Sequence, residues 1–523
     1  MKIKNPIAFL LIVLILAACA PAASVMPPTE TLAPTPLATA TPAPTPTITL
    51  TPGPELISNA KDLPVWVEEF VHAYGGKVMV NGVVMNASQL AGDIRTNSDK
   101  YIASKKVNGV EISFITLNDI PIALREYRGQ WQEASMAKLS KFAGIIFEFS
   151  PGVPPNHYPE YSFTLRKVAG EYSRFTFPSE MDTCHIFNGF SPANWKSIIT
   201  QWQDVEQDLN HGKIPNDYPY QWQEVYDIMN LVHEIVDNPQ FRAQHLVENR
   251  QNYCMLADSI INLWENEKFS QKDMLKILEF VVRTRVIKFP EVLFWDVQDE
   301  MIAGDVEWTV NKDDKYRFWL NATGKTPSEL TLMVADWVKK DNPNAKTYIT
   351  ESDIFNFSNP MGKWFRDAFD PYIKEVVQNN IGANSKKRVD GIIDENNLSI
   401  HYPLDILKIK TTIEYYNSLG LEIGGSETMV FTDLESIQGS LQIKKIELVP
   451  LENRRRAQAD MYSKMLNLYL EAGIKIFGFA GFADLSAWTE ANGWDTKPLL
   501  FDKEFRAKPA YYAIVQVLYS RLP

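Results

Sequence analysis

The chain has 523 residues, 45% apolar and 22% charged, which suits a folded protein with one large domain plus extra segments and excludes a disordered or fibrous chain. A formal net charge of −12 excludes the basic face that phosphate-backbone binding requires, so nucleic acid is not an expected partner. Cys19, Cys184 and Cys254 show neither CxxC nor metal-type spacing, and no metal or cofactor is expected. Cys184 and Cys254 are open to two readings, a disulfide outside the cytoplasm or two buried thiols.

The N-terminus reads as an address. Lys2 and Lys4 precede an apolar run from Ile7 to Leu16, too short to span a bilayer, followed by Leu16-Ala17-Ala18-Cys19. Residues 1–18 are therefore expected to be a signal peptide. Cysteine directly after small residues resembles the bacterial lipobox, which implies a lipid on Cys19 and an extracytoplasmic protein anchored to the cell envelope. Residues 19–55, rich in Pro, Thr and Ala, cannot bury a core and read as a disordered, extended tether. Residues 56–130 then predict a small α+β unit. A helix is expected near Val65 to Tyr74, and a hairpin at 78–85 turns on Asn81-Gly82. Two more turns fall at Asn108-Gly109 and Asn118-Asp119.

From 131 to 523 strand-like and helix-like runs alternate, which predicts a closed (β/α)8 TIM barrel. Strand one is expected at 144–149, after a short helix at 136–142. Strand two is expected near His185-Ile186-Phe187-Asn188 and strand three at 241–247. Ser270 caps a helix whose stripe is Met274, Ile277, Leu278, Val281 and Val282, and strand four follows at 292–300. Strands five to eight are expected at 345–350, 389–393, 421–427 and 474–479. A helix carrying Met461, Met465, Leu468, Tyr469 and Ala472 precedes strand eight, and a final helix spans 509–522.

Two of these strands end in acids. Val292-Leu293-Phe294-Trp295-Asp296-Val297-Gln298-Asp299-Glu300 delivers a carboxyl cluster at its C-terminal end, and Ile423-Gly424-Gly425-Ser426-Glu427 delivers another. Active sites of such barrels are built at that face. Glu300 and Glu427 are thus expected to face each other across one pocket as paired carboxyls. The 13 Trp and 21 Tyr would also suit sugar rings, although most aromatic side chains belong to cores.

The run Trp295-Asp296-Val297-Gln298-Asp299-Glu300 resembles the Trp-Asp-Val-Val-Asn-Glu acid/base motif of glycoside hydrolase family 10, the endo-β-1,4-xylanases. Glu427 sits where that family has its nucleophile. Ser191-Pro192-Ala193-Asn194, Arg242 with Leu246-Val247, Val389-Asp390-Gly391-Ile392 and the run from Ala480 to Trp488 fit further family segments in order. The ending Pro498-Leu499-Leu500-Phe501-Asp502 with Lys508-Pro509-Ala510-Tyr511 fits as well. The resemblance implies retaining double displacement on β-1,4-linked, xylan-like glycans. Glu427 would be the nucleophile and Glu300 the acid/base, their carboxyls about 5–5.5 Å apart and Glu300 holding its proton while Glu427 stays ionised. It further implies substrate contacts from Asn194, His245, Asp299, Glu395, Asn397, Asp484 and Trp488, with no cofactor and a monomer expected.

The sequence also departs from that pattern. Asp299 stands for the family's Asn, Gln244 and Glu248 for its sugar-binding His and Trp, Ala480 for its floor Trp, and Glu395-Asn396-Asn397 for its Gln-x-His. His401 could serve in place of the last after a loop shift. These changes leave a second reading open, a non-catalytic, surface-anchored glycan-binding lipoprotein. Sugar release that disappears in Glu427→Ala separates the two readings.

Overall fold

A computed structural model describes residues 57, 60–150, 171–177, 183–244, 246–247, 257–302, 317–355, 357, 360–381, 387–432, 449–481, 483–487 and 496–523. They all belong to one compact unit, Pro54–Pro523. The signal peptide, the tether, Cys19, His245, Cys254 and Trp488 lie outside the described residues.

The chain enters through a helix, Leu63–Ala73, whose Leu63, Val67, Phe70 and Val71 are buried. The hairpin β1 (Val78–Val80) and β2 (Val83–Met85) follows, then a helix, Ala87–Thr96, closed at its start by an Asn86/Gln89 capping box. An antiparallel sheet comes next: β3 (Ile102–Val107), β4 (Val110–Leu117), β5 (Ile120–Glu126) and β6 (Gln132–Glu133). Asn81-Gly82, Asn108-Gly109 and Asn118-Asp119 all have positive φ at both residues. That is the turn geometry whose twist matches paired strands, and it is why the sequence signal for these hairpins was strong.

The barrel strands are β7 (Ile146–Ser150), β8 (Arg174–Phe177), β9 (Gln240–Ala243), β10 (Val292–Asp299), β11 (Lys346–Ser352), β12 (Gly391–Ser399), β13 (Glu422–Phe431) and β14 (Ile476–Ala480). Each pairs in parallel with the next, and β14 returns to β7 from Ile476↔Ile146 to Ala480↔Ser150, closing an eight-stranded barrel. The expected second strand is corrected: Thr183–Ile186 is a helical turn, and the strand is Arg174–Phe177. Strands β12 and β13 also run several residues past their expected ends.

The main apolar core lies between the strands and the surrounding helices. It joins Phe147, Phe175, Phe241 and Trp295 to Met274, Ile277 and Leu278 of the helix Gln271–Lys288. The barrel's interior is different. Phe294, Tyr348, Ile393 and Ile476 form a small separate plug. Beside it is a charged layer. Arg242 of β9 donates Nε to Asp296 Oδ1 of β10 (2.9 Å) and Nη2 to Thr350 Oγ1 of β11 (2.9 Å), and it also pairs with Glu148 of β7. Arg174 of β8 meets Glu148 at 3.4 Å and caps the Phe294 ring at 3.7 Å. Side chains from strands that are not neighbours can touch in this way only inside the barrel. Burial alone would drive the charge off Arg242, but Asp296 and Glu148 reverse that and hold it charged.

The N-terminal sheet and helices lie along the final helix, Pro509–Ser520. Tyr512 stacks edge-on against Phe70 at 5.0 Å, Tyr519 meets Phe114 at 4.9 Å, and Lys105 Nζ donates to the Leu522 carbonyl at 2.6 Å. Acids line this joint. The Glu171 carboxylate accepts from the Met136 amide at 2.8 Å, yet burial and then the nearby Glu133 push its pKa up to about 8. Burial and then Glu69 push Glu133 up to about 7. Both acids keep protons in the folded state that the unfolded chain releases above its ordinary value of 4.5. Their contribution is therefore complete below that pH and is lost as pH climbs through 7 to 8. The melting temperature should fall over that window, and Glu171→Gln should flatten the fall. An unchanged slope in the variant would refute the assignment.

Candidate active site

Glu300 follows β10 directly, and its amide donates to the Thr350 carbonyl at 3.0 Å, extending the β10–β11 pairing by one residue. Its φ is +41°, in the left-handed region that side chains avoid. Glu427 has the same peculiarity, with φ +49°. It sits in a β-bulge: Glu395 pairs with Ser426 and Asn397 with Met429, so Asn396 alone faces Glu427 and Thr428. Bulges re-aim side chains, and strained non-glycine backbone concentrates at functional sites. Just upstream, Gly424 and Gly425 let β13 approach closely. A Cβ on Gly424 would meet Ile393 at 2.6 Å, and one on Gly425 would meet the Tyr469 ring at 2.5 Å.

Both glutamates stand at the C-terminal end of the barrel and both are half-buried, so each keeps some access to solvent. The strands between theirs, β11 and β12, fill the space with polar groups. Ser352 Oγ contacts Glu300 Oε1 and lies 3.0 Å from Glu395 Oε2. Gln244 Nε2 donates to Glu395 Oε1 at 2.9 Å and reaches Asp299 Oδ1 at 3.4 Å. Asp353, with φ +58°, follows β11, and its amide donates to the Glu395 carbonyl at 3.1 Å. The rim from β9 to β12 thus gathers Gln244, Asp299, Glu300, Ser352 and Glu395, and Glu427 follows the Ser426 that pairs with Glu395.

The other expected contacts divide. Asn397 lies on β12, half-buried, two residues beyond Glu395. Asn194 is occupied elsewhere: its Oδ1 accepts from the Ser191 amide and hydroxyl, each at 2.8 Å, in a capping box that starts the helix Pro192–Thr200. Asp484 is an internal brace. Both of its oxygens lie 3.1 Å from Lys508 Nζ, and Oδ1 accepts from the Leu499 amide at 2.9 Å. Burial raises the Asp484 pKa and lowers that of Lys508, and the attraction between the two opposes both shifts. His401 is half-buried, its Nε2 without a hydrogen-bond partner among the described residues. Cys184 is buried with Sγ 3.5 Å from His185 Nδ1.

Ser352 was missed at the sequence level, and Gln244 was read there only as a replacement. Strand five was expected to stop at Thr350, whereas β11 continues to Ser352. The usable signal was there, since Thr350-Glu351-Ser352-Asp353 is another strand end loaded with polar groups.

Similar proteins share this arrangement of elements. The glycosyl hydrolase family 10 model matches residues 216–517, more than half of the chain. The endo-1,4-beta-xylanase A of Thermotoga neapolitana is 25% identical over 293 residues, 52% of this chain and 24% of that protein. The endo-1,4-beta-xylanase A of Halalkalibacterium halodurans is 24% identical over 262 residues, 46% of this chain and 58% of that protein. The chain therefore spans about a quarter of the first and somewhat over half of the second. Xylanase 10B of Thermotoga maritima superposes with a TM-score of 0.54 at 19% identity, covering 74% of this chain and 99% of its own. Xylanase 10B of Thermotoga petrophila, solved with xylobiose, gives 0.53 at 20%, covering 75% and 99%. With the barrel, the acid-loaded strand ends and the match over 216–517 taken together, this chain belongs to glycosyl hydrolase family 10.

Proposed function

We propose that this protein is a retaining glycoside hydrolase that cleaves β-1,4-linked, xylan-like chains, with Glu427 as nucleophile and Glu300 as acid/base. One observation carries the reading. Glu300 directly after β10 and Glu427 in the bulge of β13 both have left-handed backbone, a conformation costing about 1–3 kcal/mol that persists where surrounding structure imposes it. In the first step Glu427 attacks the anomeric carbon as the glycosidic C–O bond breaks, and Glu300 gives its proton to the departing oxygen. In the second step Glu300 takes a proton from water, whose oxygen displaces Glu427. Among the expected substrate contacts, the rim cluster favours Asp299, Glu395 and Asn397. The test is reducing-sugar release from a panel of β-glycans. Release from xylan that ends with Glu427→Ala supports the reading. Binding without release on every glycan would replace it with a glycan-binding role.

The cell-envelope address is proposed on sequence alone. Cys19 after Leu16-Ala17-Ala18 is the expected lipid-bearing residue, and residues 20–55 the spacer. In cells fed a labelled fatty acid, the label should appear on the protein. Cys19→Ala should lose the label and move the protein from the membrane to the soluble fraction. An unlabelled wild type would remove the anchor.

A further inference from the structure

We propose that Glu395 is a positioning residue that shares one proton with Glu300 through the Ser352 hydroxyl and so sets the pH at which Glu300 can act. The effect on turnover rests on the hydrolase reading above, while the shared proton rests on the contacts alone.

Ser352 Oγ touches Glu300 Oε1 on one side and stands 3.0 Å from Glu395 Oε2 on the other. A hydroxyl carries a single hydrogen and carboxylates carry none. Ser352 can therefore donate to only one of the two acids. The second contact becomes a hydrogen bond only if the other carboxyl is protonated and donates to Ser352. With no proton on the carboxyl pair, one of the two contacts sets oxygen lone pairs against each other, and a single proton is enough to turn both into hydrogen bonds.

Gln244 fixes which oxygen takes part. Its amide donates to Glu395 Oε1 at 2.9 Å, which makes Oε1 an acceptor and leaves Oε2 toward Ser352. The same nitrogen reaches Asp299 Oδ1 at 3.4 Å. Glu395 is only 5% exposed, so little water is present to replace these partners. Acids stand beside it on the neighbouring strands, and Arg366 is a cation that acts on its chain neighbour Asp394. Asp299 and Glu300 come from β10, Asp353 follows β11, and Glu427 follows the Ser426 that pairs with Glu395. The chain neighbour Asp394 accepts from the Ile354 amide at 2.6 Å. The described cation inside the barrel nearest in the chain to Gln244, Arg242, is engaged by Asp296 and Glu148. Like charges crowded together favour holding a proton, and the apparent titrations then belong to the pair rather than to either residue.

The pairing gives Glu300 a like-charged neighbour whenever it is to keep its proton, which is the state the first chemical step needs. Removing that neighbour's charge should let Glu300 ionise at lower pH. In Glu395→Gln, the alkaline limb of the kcat/KM profile should move to lower pH by about one unit, with the acid limb, set by Glu427, staying in place. Ser352→Ala should shift the same limb in the same direction, and the double variant should shift it no further than either single one. Ser352→Ala also serves if Glu395→Gln fails to fold. An alkaline limb that does not move in either variant overturns the proposal, because a merely structural role would lower activity without moving it.

Infrared difference spectra read the proton without turnover. At about pH 7.5, well above ordinary carboxyl values, variant-minus-wild-type spectra should show the loss of one carboxylic-acid band in Glu395→Gln and in Glu300→Gln. If neither spectrum loses such a band, the shared proton is refuted whatever the enzyme does. If the bands are lost while wild type releases no sugar from any glycan, the shared proton stands and the hydrolase reading fails.

Discussion

Glu427→Ala should lower turnover on xylan-type substrates by about 10⁴-fold or more, the scale seen when an attacking group is removed and only binding and electrostatics remain. Glu300→Ala should lose about 10²- to 10⁴-fold, the usual contribution of a general acid, and its loss should depend on the leaving group. With an aryl glycoside, whose phenolate departs without a proton, the first step should proceed almost normally and the glycosyl–enzyme intermediate should accumulate. Added azide, which needs no general base, should then release it as a glycosyl azide of retained configuration. For Glu427→Ala the same anion would attack from the vacated side and give the inverted product. Swapped configurations would exchange the two roles, and full activity in either variant would remove that residue from the chemistry. The left-handed backbone at both positions adds a further expectation. Glycine tolerates that conformation where alanine does not, so Glu427→Gly should be more stable than Glu427→Ala while equally inactive.

The second large effect concerns stability. Arg242→Met should destabilise the protein by about 3–5 kcal/mol, because it leaves Asp296 and Glu148 buried without the guanidinium that joins them. Arg174, 3.4 Å from Glu148, can compensate one acid only in part. The triple variant Arg242→Met, Asp296→Asn, Glu148→Gln should recover much of the loss, since the stranded charges go with their partner. Urea midpoints measure both quantities. A neutral Arg242→Met, or a triple variant no better than the single one, would show that the layer does not act as a unit. Activity should fall with the single variant as well, because Arg242 also donates to Thr350, two residues before Ser352.

What the sequence made legible follows from how each feature is encoded. The hairpins at Asn81-Gly82, Asn108-Gly109 and Asn118-Asp119 were readable because a two-residue turn needs a local backbone conformation that few residues adopt. The helix Gln271–Lys288 was readable from its stripe and its Ser270 cap. Strand β8 was not, because Arg174 and Thr176 turn into a polar interior and only Phe175 and Phe177 signal burial. The far half of β12, Asp394-Glu395-Asn396-Asn397, has the composition of a loop and is a strand because β13 pairs along it and β11 pairs with Asp394 and Glu395. Glu300 and Glu427 drew attention because acids ending apolar runs stand out. Ser352 and Gln244 matter through partners far away in sequence, and no local pattern announces such contacts. Ser191-Pro192-Ala193-Asn194 carries two signals at once: it fits a family segment, and Ser before Pro with Asn three residues on is also a helix start, which the Asn194 side chain closes.

The barrel closes where its first and last strands, β7 and β14, lie side by side, and outside that join the helices Met136–Ala143 and Pro509–Ser520 pack together. The N-terminal elements are fastened to the last of these and to the residues just after it: Phe114 of the sheet meets Tyr519, Lys105 reaches the Leu522 carbonyl, and Phe70 of the first helix meets the Tyr512 ring. They work as a clasp over the join between β7 and β14. Removing residues 57–130 would strip Tyr512, Tyr519 and the Leu522 carbonyl of these partners and leave that seam without its outer fastening.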